Sequence, residues 1–255
     1  MSYQKKIVSL FSGTILSLAL TTQLALAGMT ISGTRIIFPA AEREQTVRTT
    51  NKGHSPLLVQ VWVDDGSKND DINSIKVPFT VTPPIYRVEP GRGQSIRLIY
   101  NGMVLPQDRE SVFYFNLLEI PPVDEKVKNT DRLELAFRTR IKIFYRPAVL
   151  TGSSYKDVNK VRWEVISPTK GIKVTNPTPY YFSFDSAFIT SGGVKYPLSV
   201  DMVAPFSSRD FPLQLKGNAP PVTVNGGGVS LISDYGSVIK YSLTPGLGKV
   251  LTIKE

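Results

Sequence analysis

One stretch of the chain, from Arg132 to Pro147, alternates between apolar and charged residues. Its odd positions carry apolar side chains or threonine from Leu133 to Tyr145, whereas its even positions are mostly basic. Because successive side chains of a β-strand point to opposite faces, the pattern predicts one strand with an apolar face and a basic face. At about 3.3 Å per residue the alternation from Leu133 to Tyr145 would span about 45 Å, although a typical strand has about five or six residues. We therefore hypothesise that a partner protein covers the apolar surface that its own sheet leaves exposed.

The rest of the pattern predicts an all-β protein. Short runs rich in β-branched and aromatic residues alternate with Gly, Pro, Asn and Asp, and helical periodicity is nearly absent after the first 27 residues. About seven runs precede Pro147, the first over Met29–Phe38, which suits one immunoglobulin-like sandwich. Leu57–Val63 is apolar on both faces, which predicts a central strand with Trp62 in the core. Weaker runs follow, with a turn predicted over Asn225–Gly228, and indicate a second β-rich domain.

The first 27 residues have the pattern of a secretory signal peptide. Lys5 and Lys6 precede a mostly apolar stretch, and Ala25-Leu26-Ala27 fits the small-x-small rule for cleavage before Gly28. A membrane anchor is the alternative, although polar residues interrupt the apolar stretch. The expected organisation is therefore a signal peptide over 1–27, an N-terminal domain over 28–147 and a C-terminal domain over 148–255. The mature protein is predicted to be exported.

Charge and composition narrow the candidate partners. The chain of 255 residues has a formal charge of +9, and removal of two signal-peptide lysines leaves 9 − 2 = +7. A basic exported protein could meet an anionic surface, nucleic acid or carboxylates on a partner protein. The basic and aromatic residues of Arg138–Arg146 could stack on single-stranded nucleic acid. Export and the continuous apolar face of this strand argue against that interpretation. There is no cysteine, which excludes disulfides and thiolate chemistry.

The sequence nominates no catalytic or metal site. His54 is the only histidine and lies in a predicted hairpin loop, with no nucleophile elbow nearby. A zinc site would need several carboxylates, and none has a suitable spacing. Pairs of acidic residues are interpreted as solvated loop charges: Asp64-Asp65, Asp70-Asp71 and Asp124-Glu125. We therefore predict that the protein is not an enzyme and uses no cofactor, metal or small-molecule substrate.

Several motifs resemble the periplasmic pilus-assembly chaperones of the chaperone–usher pathway, over essentially the whole mature chain. Two are long and specific, Leu105–Pro122 (LPQDRESVFYFNLLEIPP) and Arg138–Pro147 (RTRIKIFYRP). Supporting motifs are Gly33–Ala40 (GTRIIFPA), Thr175–Tyr181 (TNPTPYY) and Ser233–Ser237 (SDYGS). The resemblance implies two immunoglobulin-like β-sandwich domains in a boomerang arrangement with a cleft between them. The short charged loop Val123–Asp131 and the lack of cysteine fit the short-loop branch of this family.

The same resemblance implies a function without catalysis. Pilus subunits of this pathway are immunoglobulin-like folds that lack one strand, and the chaperone lends them its own, caps their assembly surfaces and delivers them to the outer-membrane usher. By the family pattern Leu133, Leu135 and Phe137 are the donated side chains. The alternative is that they pack inside their own domain. A free chaperone could also cap itself as a dimer.

Two sets of charged residues carry over from the family. Arg35 and Lys142 match the pair that grips the subunit's C-terminal carboxylate. Glu110, Arg146 and Asp234 match an ion network between the domains. Lys142 lies on the opposite parity from the donated side chains, so it reaches the cleft only if the strand twists or bulges, or if the cleft lies to its other side.

Two rival functions remain at this stage. A structural pilus subunit would also be exported and β-rich, but it would have one domain and an N-terminal donor arm. An unrecognised periplasmic hydrolase would need catalytic residues that the sequence does not nominate.

Overall fold

A computed structural model describes residues 28–67, 76–122, 135–215, 217 and 219–254. Regular structure in these residues is almost entirely β-strand, numbered here in chain order, with short 3-10 helices at Ser154–Lys156 and Val158–Lys160. No helix among them is both long and apolar enough to cross a membrane. The predicted signal peptide over residues 1–27, the loop Val123–Asp131 and Leu133 lie outside the described residues.

The first half of the chain forms a sandwich of two sheets. One sheet has four strands in the order β1 (Met29–Ile31), β3 (Glu44–Asn51), β7 (Gly93–Tyr100) and β5 (Phe79–Thr82). The other has five, in the order β2 (Arg35–Pro39), β9 (Phe137–Arg146), β8 (Ser111–Ile120), β4 (Leu57–Asp64) and β6 (Ile85–Val88). Alternate residues of these strands point inward and form one core, with Phe38, Phe115, Leu117 and Ile143 fully buried.

The second half forms a single sheet that closes around its own core. Its order is β13 (Val194–Leu198), β12 (Phe184–Ser191), β15 (Gly226–Ile232), β16 (Val238–Pro245), β17 (Val250–Lys254), β10 (Arg162–Ser167), β11 (Gly171–Asn176) and β14 (Ser207–Pro212). A bridge between Leu198 and Leu213 joins its two ends. Trp163 and Phe211 are fully buried inside. The prediction of an all-β protein with two immunoglobulin-like units is confirmed.

The structure corrects two details of the first unit. The single strand predicted over Met29–Phe38 is wrong, because the chain leaves β1 in one sheet and enters β2 in the other. Gly33 has a φ of 96° in this crossing, a conformation that favours glycine. The short strand β6 was not predicted, because it directly follows Pro83-Pro84, where the Thr82–Pro83 bond is cis.

The glycines at 226–228 begin a strand, so the predicted turn there is wrong. An added Cβ on Gly227 would lie 2.3 Å from the carbonyl oxygen of Phe188, and one on Gly228 would lie 2.7 Å from the Phe188 ring. Glycine in a strand often marks such a close approach. The carbonyl group of Phe188 therefore takes the space that a side chain would need at Gly227, and its ring takes that space at Gly228.

We expect Leu117→Ala to destabilise the first sandwich by about 2–5 kcal/mol, because it opens a cavity in a closed core. Leu117 is 0% exposed, whereas Leu58, in the same sheet, is 44% exposed. Leu58→Ala is the control and should change the free energy of unfolding by under about 1 kcal/mol. Urea denaturation followed by fluorescence measures both values, and equal losses for the two variants would contradict this account of the core.

Candidate functional site

Strand β9 is paired along its whole length on one side and only in part on the other. It pairs with β8 from Phe137 to Tyr145. It pairs with β2 only from Lys142 to Arg146, where the two strands are parallel. Along 137–141 the second edge has no neighbouring strand among the described residues. Unpaired backbone N–H and C=O groups on such an edge can accept another strand.

The apolar face of β9 runs beyond the core to this open edge. Ile141 and Ile143 are buried in the first sandwich. Phe137 has the same parity but is 61% exposed, and Leu135 is 55% exposed. Their exposure agrees with the prediction that their own sandwich leaves these two side chains uncovered. The alternative, that they pack inside that sandwich, is wrong for both. Leu133, the third predicted side chain, lies outside the described residues.

The opposite face of β9 looks toward the second unit. Phe144 lies 5.6 Å from the ring of Tyr181, and Arg146 contacts Asp234. Lys142 has the same parity as these two residues. Lys142 therefore needs no bulge in β9 to reach the side of the second unit, because the two faces of the strand have different surroundings.

Arg35 and Lys142 are direct partners across the parallel strands β2 and β9. Nη1 of Arg35 donates a hydrogen bond to the carbonyl oxygen of Ile232 at 3.1 Å. Its Nε is buried and has no hydrogen-bond partner. Among the described residues, no carboxylate lies within ion-pair distance of either cation.

Burial makes both cations poorly solvated. It lowers the pKa of Arg35, although the nearby charge of Asp234 opposes this. It also lowers the pKa of Lys142, and the positive charges of Arg35 and Arg140 lower it further. An anion placed between the two groups would favour their charged forms, which burial disfavours, and would accept charge-assisted hydrogen bonds from both. The pair is therefore suited to bind a carboxylate.

Arg146 connects the two units through two carboxylates. It contacts Glu110 at 2.6 Å and Asp234 at 2.9 Å. The second oxygen of Glu110 accepts a hydrogen bond from the backbone N–H of Tyr181 at 2.8 Å. All three predicted members of the network, Glu110, Arg146 and Asp234, thus lie together.

The environment of the network explains its ionisation. Burial raises the pKa of Glu110, although Arg146 and the N–H of Tyr181 counteract this. For Arg146, burial acts to lower the pKa, but its bonds to Asp234 and Glu110 outweigh burial and raise the pKa. The sequence did not nominate Tyr181 as a partner here, because backbone donors carry no signal in a side-chain pattern.

A second charged cluster was missed in the sequence. Asp64 was interpreted as a solvated loop charge, but it is the last residue of β4 and is buried. It forms ion pairs with Arg138 and Arg140 of β9. The prediction that Trp62 lies in the core is also wrong, since its ring is partly buried and lies 5.0 Å from the guanidinium carbon of Arg138. The alternation of Trp62 and Asp64 with the buried Val61 and Val63 is the signal that could have placed both on the outer face.

Comparisons with known proteins agree with this architecture. Residues 28–151 match the family described as pili and flagellar-assembly chaperone, PapD N-terminal domain. Residues 156–243 match the C-terminal domain of the pili assembly chaperone PapD. The chain is 45% identical to the probable fimbrial chaperone YadV of Escherichia coli K12 over 223 residues, which is 85% of this chain and 89% of YadV.

Solved structures lead to the same family. The crystal structure of the YadV chaperone has a TM-score of 0.71 and 40% sequence identity, and covers 86% of this chain and 100% of that one. A complex of the Salmonella enterica SafA pilin with the SafB chaperone also matches, with a TM-score of 0.71 and 27% identity over 88% of this chain and 99% of that one. The matched family is one of chaperones and not of enzymes. The chain belongs to the PapD family of pilus-assembly chaperones.

Proposed function

We propose that this chain is a periplasmic chaperone that binds pilus subunits by strand addition at the open edge of β9. The observation that carries the proposal is that this edge ends where Arg35 and Lys142 lie side by side. A subunit strand added along 137–141 would meet the two cations as it reaches the start of β2. Its backbone would satisfy the unpaired groups of β9, and its terminal carboxylate would bind the cations.

The same geometry sets the direction of the added strand. The open part of β9 precedes Lys142 in the chain, and the cations lie at its far end. A strand whose carboxyl end reaches Lys142 must therefore run parallel to β9. Strand β2 already pairs with β9 in this direction, so the subunit strand would continue the same parallel edge.

Apolar burial supplies the affinity. Leu135 and Phe137 are exposed in this chain, and Leu133 would extend the same face. Complete burial of one such side chain stabilises by about 1.5–3 kcal/mol, before the entropic cost of association is subtracted. The carboxylate anchor then selects which residues of the subunit face these side chains, because it fixes the end of the added strand.

We also propose how the protein is exported, where its domains divide and which partners it meets. We assign residues 1–27 to a cleaved signal peptide and place the domain boundary after Pro147, between the two cores. The structure of the SafB chaperone was solved in complex with a pilin, which supports the proposal that the partner of this chain is also a pilus subunit. We further propose that the chain delivers its subunits to an outer-membrane usher and that the free chain caps itself as a dimer. We also assign it to the short-loop branch of the family.

We predict that Arg35→Ala and Lys142→Ala each abolish the complex with a subunit, because each removes one of the two donors to its carboxylate. The measurement is co-purification from the periplasm of cells that express the chain with pilus subunits from the same organism. Arg97→Ala is the control, since Arg97 is an exposed arginine paired with Glu44 on the other sheet. Subunit recovered at wild-type yield with either anchor variant would refute the assignment.

We also predict that Leu135→Glu prevents formation of the complex, because it places a charge where an apolar groove must close. Leu247→Glu is a matched control at a leucine that is 94% exposed in the second unit. Both variants should keep the thermal unfolding midpoint of the wild type, since neither residue lies in a core. Analytical gel filtration after co-expression measures the complex, and an unaltered complex with Leu135→Glu would exclude this edge as the donor.

Arg146→Met is predicted to loosen the orientation of the two domains more than it destabilises either one. The substitution leaves Glu110 and Asp234 without their shared cation, while the two cores keep their packing. Small-angle X-ray scattering should show a broader distribution of interdomain distances, and near-ultraviolet circular dichroism should be unchanged. Scattering identical to the wild type would mean that other contacts set the orientation.

A further inference from the structure

The outer face of β9 carries three cations at alternate positions, Arg138, Arg140 and Lys142. Each could bind a carboxylate, but only Lys142 has Arg35 beside it. A strand that slipped by two residues, about 7 Å, would keep its apolar side on the correct face and could end at Arg140 instead. Alternation therefore protects against a slip of one residue but not against a slip of two. Some other feature must favour the cation pair at Lys142.

The buried carboxylate of Asp64 engages both of the other arginines. Nη2 of Arg138 donates to Oδ2 of Asp64 at 3.1 Å, and Nη2 of Arg140 donates to Oδ1. The same carboxylate also accepts hydrogen bonds from the side chain of Asn116 at 2.7 Å and from the N–H of Gly66 at 2.8 Å. The side chain of Asp64 is 5% exposed, so these bonds form in a poorly solvated place where they are stronger than at the surface.

Aromatic rings and an amide hold the two guanidinium groups in this direction. Arg140 lies 3.9 Å from the centroid of the Tyr114 ring, and Arg138 lies 5.0 Å from that of Trp62. Arg138 also donates from Nε and Nη2 to Oδ1 of Asn116 at 3.0 and 2.7 Å. These partners lie on β8 and β4, which follow β9 in the sheet on the side away from the open edge. Both arginines therefore turn away from the position of an added strand.

We propose that Asp64 is a positioning residue that sets the register of the bound strand, by holding Arg138 and Arg140 away from its carboxylate. This inference rests on the proposed binding of a subunit strand at β9. With the two arginines engaged, the terminal carboxylate has one anchor, at Arg35 and Lys142. Removal of the Asp64 charge frees Arg140 and Arg138 as competing anchors, two and four residues before Lys142. The expected result is a mixture of registers, not a loss of binding.

The test uses the mature chain and a seven-residue peptide of alternating valine and threonine with a free terminal carboxylate. The same peptide with a terminal amide is the control. A nitroxide label at the amino end of the peptide reports its register through paramagnetic relaxation of backbone amides along β9. For the wild type we expect about tenfold tighter binding of the carboxylate form and one relaxation maximum. Equal affinity for the two peptides would refute the anchor itself, and thus the proposed function.

In Asp64→Asn we expect the total affinity to change by less than about threefold, which is less than 1 kcal/mol. A second relaxation maximum should appear two residues away, together with new shifts of the Arg140 side-chain N–H signals. Asparagine keeps the shape of the side chain and one acceptor oxygen, which can still accept the hydrogen bond from the N–H of Gly66, whereas the bond from the side chain of Asn116 to the second oxygen is lost. A single unchanged maximum in a folded Asp64→Asn chain would overturn the inference while leaving the anchor intact.

A second variant tests the inference with Asp64 in place. In Arg35→Gln/Lys142→Gln the carboxylate form should lose its tenfold preference, although Arg140 lies only two residues from the former anchor. A preference that persists, with shifts at Arg138 or Arg140, would show that Asp64 does not withhold them and would overturn the inference. Addition of Asp64→Asn to this double variant should restore part of the preference in the shifted register.

Discussion

Incomplete pairing of one strand is the constraint on which the rest of this molecule depends. Strand β9 has β8 along one whole edge but β2 along only half of the other. The uncovered half has unpaired backbone groups and the exposed side chain of Phe137, and the covered half is held in the core by Ile143 and Tyr145. One half of the strand is therefore fixed in the core, and the other half has backbone groups without a neighbouring strand among the described residues. A partner strand added there would rest on a scaffold that is already folded.

The charges around β9 are divided between structure and binding. Glu110 and Asp234 engage Arg146 where the two units meet, and Asp64 engages Arg138 and Arg140 on the outer face. Among the described residues, Arg35 and Lys142 are left without a carboxylate, and burial lowers the pKa of both. In the part of the chain that the structure describes, the carboxylates near β9 thus engage Arg138, Arg140 and Arg146 and leave Arg35 and Lys142 for the carboxylate that we propose as their ligand.

Two opposite faces of β9 serve two different surroundings. The odd positions belong to the first core and its exposed continuation, whereas Phe144 and Arg146, at even positions, contact the second unit. This arrangement allows the proposed donated side chains and the proposed carboxylate anchor to lie on opposite parities of one strand. The backbone edge, not either face, connects them, since an added strand lies beside β9 and contacts both sides of the sheet.

The sequence by itself determined the all-β class, the long alternating strand and the separation into two β-rich parts, because these follow from local periodicity. Its resemblance to a family pointed to Arg35, Lys142, Glu110, Arg146 and Asp234. Tertiary structure alone decided that β9 is half covered, that Asp64 is buried and paired, and that glycines 226–228 belong to a strand. Each of these depends on which strand lies beside which, through contacts between residues as distant in the chain as Asp64 and Arg140. Such pairing is non-local, so no pattern within a short stretch of sequence records it.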